Sequence, residues 1–162
     1  MLKLEDQLWT YTPQTDRTVM ISGHLLRQSV MGSDLSYEDL LEDPELGRLY
    51  RAAVAGEDTV IGRDCWLLDL DARVDEIAYY RRRVWVDKER YVALREERFA
   101  KSGVLLKTTD VRNVRLFGER WVADRVVFRD MLGSGQGTEF VLDSIAFDVD
   151  IPAHLFTKAS LK

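Results

Sequence analysis

The fold is decided by residues 79–131, which read YYRRRVWVDKERYVALREERFAKSGVLLKTTDVRNVRLFGERWVADRVVFRDM. Runs rich in Val, Phe, Trp and Tyr alternate with short polar or glycine-bearing breaks. That is the pattern of antiparallel strands joined by tight turns. Tyr79 to Asp87 predicts one strand and Tyr91 to Lys101 the next, joined through Lys88, Glu89 and Arg90. Ser102 and Gly103 turn the chain into Val104 through Leu116, and Gly118 turns it into Arg120 through Met131. Within that last run Val122, Asp124, Val126 and Phe128 share one side, and Arg125 and Arg129 the other. An apolar side opposite a charged one suits an antiparallel sheet with one wet face. So many valines weigh against a helix.

Working outward, the loop Gly133–Gly137 feeds a further run, Thr138 through Val149, in which Val141, Ile145, Phe147 and Val149 share a face with Asp143 as the exception. Upstream, Tyr50 to Asp58 and Arg63 to Asp71 predict strands about Gly62, although Leu46, Leu49, Tyr50 and Ala53 also have helical spacing. Trp9, Tyr11 and Thr12 lead to Pro13, and Arg17 to Ile21 rises again as a β-branched run, with residues 14–16 as the turn. Helix is scarce. Ser36-Tyr37-Glu38-Asp39 has the form of a capping box after a turn at Gly32, starting a short helix that stops before Pro44. Pro152 opens a second short turn through Phe156. The expectation is a mainly β domain, a curved antiparallel sheet with one or two short helices.

Bulk composition narrows the function. The chain has 162 residues and a net charge of −5, which gives no electrostatic footprint for nucleic acid. No apolar run approaches the roughly 18 residues of a membrane-spanning helix. Acids stand at Glu5 and Asp6, where a signal peptide carries its apolar stretch. One cysteine, Cys65, excludes an internal disulfide, and its apolar strand Asp64-Cys65-Trp66-Leu67-Leu68 predicts a buried, inert thiol. His24 and His154 have no second ligand at helical spacing, so neither a metal nor a cofactor is expected.

Three carboxylates, Asp34, Glu38 and Asp39, fall within Met31–Asp39. Paired carboxylates can serve acid–base chemistry, but a turn followed by a capped helix explains them better. No nucleophile–base pair is visible, so no catalytic residue is assigned. The glycine loop at 133–137 has no P-loop lysine and precedes a β-like run, so it is a hairpin connection. In Arg81-Arg82-Arg83, alternation separates Arg82 from its neighbours. A solvated face is the simpler reading, and an inward Arg82 would meet an anionic head group.

Several stretches carry a family resemblance. They are Leu8 to Pro13 (with Trp-x-Tyr-x-Pro), Asp16-Arg17, and Arg27 to Leu40. The last contains Gln-Ser-x-Met-Gly-Ser-Asp-x-Ser-Tyr-Glu-Asp, with Met31, Gly32, Asp34, Ser36, Tyr37, Glu38 and Asp39. Gly62 to Leu68, Val84 to Asp87, Gly103 to Lys107 and Ile151 to Thr157 follow in the same order. The whole resembles the LolA-like outer-membrane lipoprotein-sorting proteins of bacteria.

The resemblance implies a LolA/LolB-type incomplete β-barrel over residues 1–162, with short helices covering an apolar concave face that holds acyl chains. It implies a non-enzymatic carrier or chaperone of lipids or lipoproteins, in the periplasm or on the periplasmic face of the outer membrane. An exporter of the resistance–nodulation–division type is the implied partner. The alternative is a structural partner of such an exporter with no lipid cargo. Trp9, Tyr11, Trp85 and Trp121 are the candidate wall residues. Family members place a signal peptide, a helix and early strands before Trp-x-Tyr-x-Pro, so the resemblance implies a domain lacking its N-terminal part. An open edge at Trp9–Thr12 and an uncovered apolar face would then favour a homodimer.

Overall fold

The computed structural model describes residues 1–4, 7–41 and 46–161. Two compact units are present, Met1–Glu42 with Ala146–Lys162, and Asp43–Ile145. The first holds a three-stranded antiparallel sheet of β1 (Leu2–Leu4), β2 (Gln7–Thr12) and β3 (Arg17–Ile21), in that order. It also holds α1 (Tyr37–Leu41). The second holds α2 (Leu46–Leu49) and seven strands. These are β4 (Tyr50–Val60), β5 (Arg63–Ala72), β6 (Arg81–Asp87), β7 (Ala93–Phe99), β8 (Leu105–Phe117), β9 (Arg120–Asp130) and β10 (Thr138–Val141). Each of the seven pairs antiparallel with its neighbours in sequence, a meander, and neither sheet closes into a barrel.

Turn chemistry sets the hairpins. Ile61 and Gly62 both have positive φ, 47° and 73°, between the paired residues Val60 and Arg63. That is the type I′ requirement, which matches the twist of the strands it joins. Gly118, at φ 61°, takes the first central position between Phe117 and Arg120, the place a type II′ turn gives to glycine.

The core lies on both sides of the sheet. In the β5–β6 register Leu67 stands opposite Trp85, and Cys65 shares their face, while Leu68 and Leu70 stand opposite Val84 and Arg82 on the other. One buried cluster gathers Cys65, Trp85, Leu94, Val111 and Val126. A second gathers Tyr50, Leu70 and Val84 under Leu46 and Leu49 of α2. The expectation of one wet face therefore fails at β5. Its run Cys65-Trp66-Leu67-Leu68 is apolar on successive residues, as a strand covered on both faces must be.

Charge is ordered across the sheet. Asp69 accepts from the Nε of Arg83 at 2.8 Å, and Arg83 stands opposite Glu97. Arg95 meets Glu97 at 2.6 Å and lies opposite Asp110, which pairs with Arg129 at 2.6 Å. These residues form a ladder of alternating sign from β5 to β9. On the opposite face Arg82 is buried, 3% exposed, and pairs with Glu96 at 2.9 Å. Its guanidinium lies 4.9 Å from the centre of the Tyr50 ring. Arg82 therefore points inward, and a protein carboxylate already holds its charge. Tyr50 donates to the carbonyl of Tyr79 at 2.7 Å, and burial pushes its hydroxyl up to about 12.

Three expectations are corrected. The run from Thr138 is a strand only to Val141. The amide of Leu142 still reaches the carbonyl of Asp124, but no strand among the described residues lies beyond β10. Asp148 is left-handed at φ 54°, and Ile145 and Val149 stay exposed. The edge of β2 is not open, because β1 covers it with Leu2 opposite Trp9. The solvated-face reading of Arg82 gives way to a buried ion pair. Residues 46–60 combine both readings of their sequence, one turn of α2 and then β4. The helix stop assigned to Pro44 lies outside the described residues.

Candidate ligand-binding site

Trp9 and Tyr11 are alternate residues of β2 and so share a face of the small sheet, with Leu2 of β1 opposite Trp9. The C-terminal segment folds in the same unit. Pro152 fixes the entry to a 3-10 turn at Ala153–Phe156, and a second turn follows at Lys158–Ser160. A cavity of about 300 Å³ is lined by Met1, Leu2, Tyr11, Leu155, Ser160 and Leu161. That volume lies at the lower end of the roughly 300–1,000 Å³ usual for small-ligand sites.

Its polar groups are mostly committed to the protein. Tyr11 donates to Asp16 at 2.9 Å, a bond that raises the tyrosine's pKa. The single hydroxyl proton of Ser160 has the carbonyl oxygens of Leu155 and Thr157 within reach, at 2.8 and 2.7 Å. The space is open, and the surface facing it is more polar than apolar, with Leu2, Leu155 and Leu161 as its aliphatic part. From the second 3-10 turn, the ammonium of Lys158 sits 3.3 Å from the centre of the Trp9 ring on β2. The indole N–H of Trp9 is buried and has no hydrogen-bond partner among the described residues. The arrangement joins three leucines to a polar rim, and Trp9, on the same face of β2 as Tyr11, adds its unsatisfied donor.

The other two candidate wall residues lie elsewhere. Trp85 is core, 6% exposed, and its indole N–H donates to Asp58 at 2.8 Å. That bond is the largest influence holding the Asp58 carboxyl below its usual value. Trp121 is 39% exposed near the start of β9, opposite Leu116, with the guanidinium of Arg90 3.9 Å from its ring centre. The structure thus puts Trp9 and Tyr11 on one face of β2, Trp85 in the core and Trp121 at the surface.

The segment from Met31 builds local structure. Met31 and Gly32 have positive φ in a turn closed by the amide of Ser33 on the carbonyl of Val30. The amide of Ser36 donates to Asp39 at 2.7 Å, and the amide of Asp39 donates back to the Ser36 hydroxyl oxygen at 3.3 Å. This is a reciprocal capping box with Asp in the Glu position, opening α1 at Tyr37. Asp39 is thus committed to the helix, Asp34 and Glu38 are half-buried, and the Met31 side chain is exposed. Among the described residues no group of three or more His, Cys, Asp or Glu is placed to hold a metal ion. Cys65 is fully buried, and burial is the main cause raising its thiol pKa.

Sequence reasoning missed a second concavity, in the seven-stranded unit. A groove of about 450 Å³ is lined by Arg112, Asn113, Arg115, Asp124, Arg125, Val141, Leu142 and Asp143. The β8–β9 register slips on either side of Asn113, and buried Asp124 accepts from Asn113 at 2.7 Å and pairs with Arg115 at 3.4 Å. Its sequence signals were Asp124 and Asp143, each standing on an otherwise apolar side. It also missed Leu155, Lys158 and Leu161, which no periodicity marks.

Comparison with known proteins follows the fold. A family model described as "-like: Uncharacterized protein" matches residues 1–162. Among curated proteins there is no match. A putative outer membrane lipoprotein-sorting protein domain from Vibrio parahaemolyticus is similar at 26% identity and a TM-score of 0.82, over 96% of this chain and 65% of that one. A DUF1329 family protein from Desulfovibrio piger is similar at 26% identity and TM-score 0.88, over 99% of this chain and 67% of that one. A LolA superfamily protein from Nitrosomonas europaea shares the fold at 21% identity and TM-score 0.64, over 96% and 68%. The chain spans about two thirds of the length of each of these structures. The fold is LolA-like, as the sequence resemblance implied.

Proposed function

The chain belongs to the family of uncharacterized proteins whose model it matches from end to end, and from its LolA-like fold we propose that it is a non-catalytic carrier or chaperone of lipid acyl chains or lipoproteins. It would act as one LolA-like domain over residues 1–162, in the periplasm or on the periplasmic face of the outer membrane. The observation that carries the reading is the LolA-like fold shared with the lipoprotein-sorting domain, and the candidate seat is the open pocket beside Tyr11, with Leu2, Leu155 and Leu161 in its wall. Burial of an alkyl chain there contributes about 0.8 kcal/mol per methylene, without any directional bond.

A fluorescent fatty-acyl probe and mass spectrometry of organic extracts of the purified protein test the proposal together. Co-purified lipid is expected, as is probe binding that Leu155→Glu abolishes while the circular dichroism spectrum is kept. Protein that carries no lipid, and a probe affinity indifferent to Leu155→Glu, would overturn it.

One observation favours a second reading, an interaction module of an exporter complex of the resistance–nodulation–division type without cargo. Leu116 and Trp121, paired across the β8–β9 hairpin, are 48% and 39% exposed. Under that reading Trp121→Ser weakens partner capture and leaves lipid content unchanged.

A further inference from the structure

β4 forms one edge of the seven-stranded sheet. It pairs with β5 on one side, and on the other no strand among the described residues meets it. It is 11 residues long, against four for β10 at the opposite edge. Residues 51–55 are exposed, and Val54 is 67% exposed. Proteins blunt such edges with proline, lysine, brevity or a bulge, and the bulge of β4 is confined to Val54–Gly56. The sequence Tyr-Arg-Ala-Ala-Val-Ala-Gly-Glu-Asp-Thr-Val contains no proline or lysine. Its outward backbone groups are a template for another strand, and its small side chains leave that strand room to approach.

We propose that β4 pairs antiparallel with β4 of a second copy of this chain across a two-fold axis, joining two sheets into one. The pleat selects the register. Arg51 and Ala53 lie opposite Asp71 and Asp69 on one face of β5. The bulge between Val54 and Gly56 then shifts the alternation, so that Gly56 and Asp58 fall opposite Leu67 and Cys65 on that same face. Ala52, Val54 and Glu57 take the other face, opposite Leu70, Leu68 and Trp66.

Residues directly opposed across a sheet point to the same side. One face-matched register sets Arg51 against Asp58 of the partner subunit and Ala53 against Gly56 of the partner subunit. Symmetry repeats both pairs, giving two opposite-charge pairs around a centre of small residues. Opposite charges directly across a sheet stabilise the pairing, and like charges there oppose it. A Cβ built at Gly56 meets nothing within 4 Å, so the centre also tolerates substitution.

Sedimentation velocity over a concentration series tests this on the intact chain. A dimer mass is expected to emerge through the micromolar range. Arg51→Asp sets like charges opposite at both symmetric pairs and is expected to raise the dimer Kd about tenfold. Mixing Ala53→Cys with Gly56→Cys protein under mild oxidation should give a disulfide-linked heterodimer, with buried Cys65 remaining reduced. A monomer mass at every concentration overturns the proposal. So does a dimer whose Kd Arg51→Asp leaves unchanged and whose mixed cysteines fail to cross-link, because that dimer uses another surface.

Discussion

Asp87→Asn tests how much of the fold hangs on one carboxylate. The side chain ends β6 fully buried and holds the β6–β7 connection closed. One oxygen accepts from the Nε of Arg63 at 2.5 Å. The other accepts from the Nη2 of Arg63 at 3.1 Å and from the amides of Glu89 and Arg90 at 2.8 and 3.0 Å. The bond to Arg63 is the largest influence lowering this carboxyl from 3.8 to about 2. At 1.36 kcal/mol per unit that shift is worth about 2 kcal/mol of folding stability. The folded-state value lies below the unfolded one. The contribution is therefore complete above the ordinary carboxylate range and is lost as pH falls through about 2. Asparagine keeps the shape, removes the charge and turns a donor towards Arg63, so the loss at neutral pH is at least about 2 kcal/mol. Urea unfolding at pH 7 and at steps down to pH 2 gives the gap between wild type and variant. The gap should be full at pH 7 and narrow towards pH 2. Equal urea midpoints at pH 7, or a gap of constant size down to pH 2, would refute the argument.

Ile61→Asn should stabilise the chain by about 1 kcal/mol in the same urea assay. The type I′ turn holds a β-branched residue at φ 47°, where asparagine is at ease, and the isoleucine side chain is 49% exposed. Ser36→Ala should cost about 1 kcal/mol, the usual effect of a lost cap. It removes the acceptor for the Asp39 amide, and restoration by Ser36→Thr in thermal unfolding would confirm the cap.

The meander was legible because its signals are local. Ser102-Gly103 and Gly118 punctuate runs whose alternation needs only a neighbouring strand to make sense. The capping box at Ser36 was legible for the same reason, since both partners lie within one turn. Strand extent beyond Val141 was not, because alternation cannot report whether a partner strand exists. Nor was the pairing of Arg82 with Glu96, which stand 14 residues apart and meet only through the β6–β7 register. The cavity escaped for a further reason. Tyr11 and Leu155 come from opposite ends of the chain, and their meeting depends on tertiary folding alone.

The ladder from Asp69 to Arg129 bears on how the sheet avoids assembling wrongly. A slip of one residue turns a strand's side chains to the wrong face, so the smallest error that preserves the faces is a slip of two. If β7 slides by two residues in one direction, Arg95 comes opposite Arg83. If it slides by two in the other, Glu97 comes opposite Asp110. The second mistake sets like charges where the native pairing sets opposite ones, whereas the first also brings Glu96 opposite Arg82 and Glu97 opposite Arg81 and so carries no such penalty. β7 is thus proofread in one direction, by Asp110 of β8. The value of these half-exposed charges lies less in the strength of the finished sheet than in the fidelity with which the chain finds it, a fidelity that high salt should erode by screening the penalty for error.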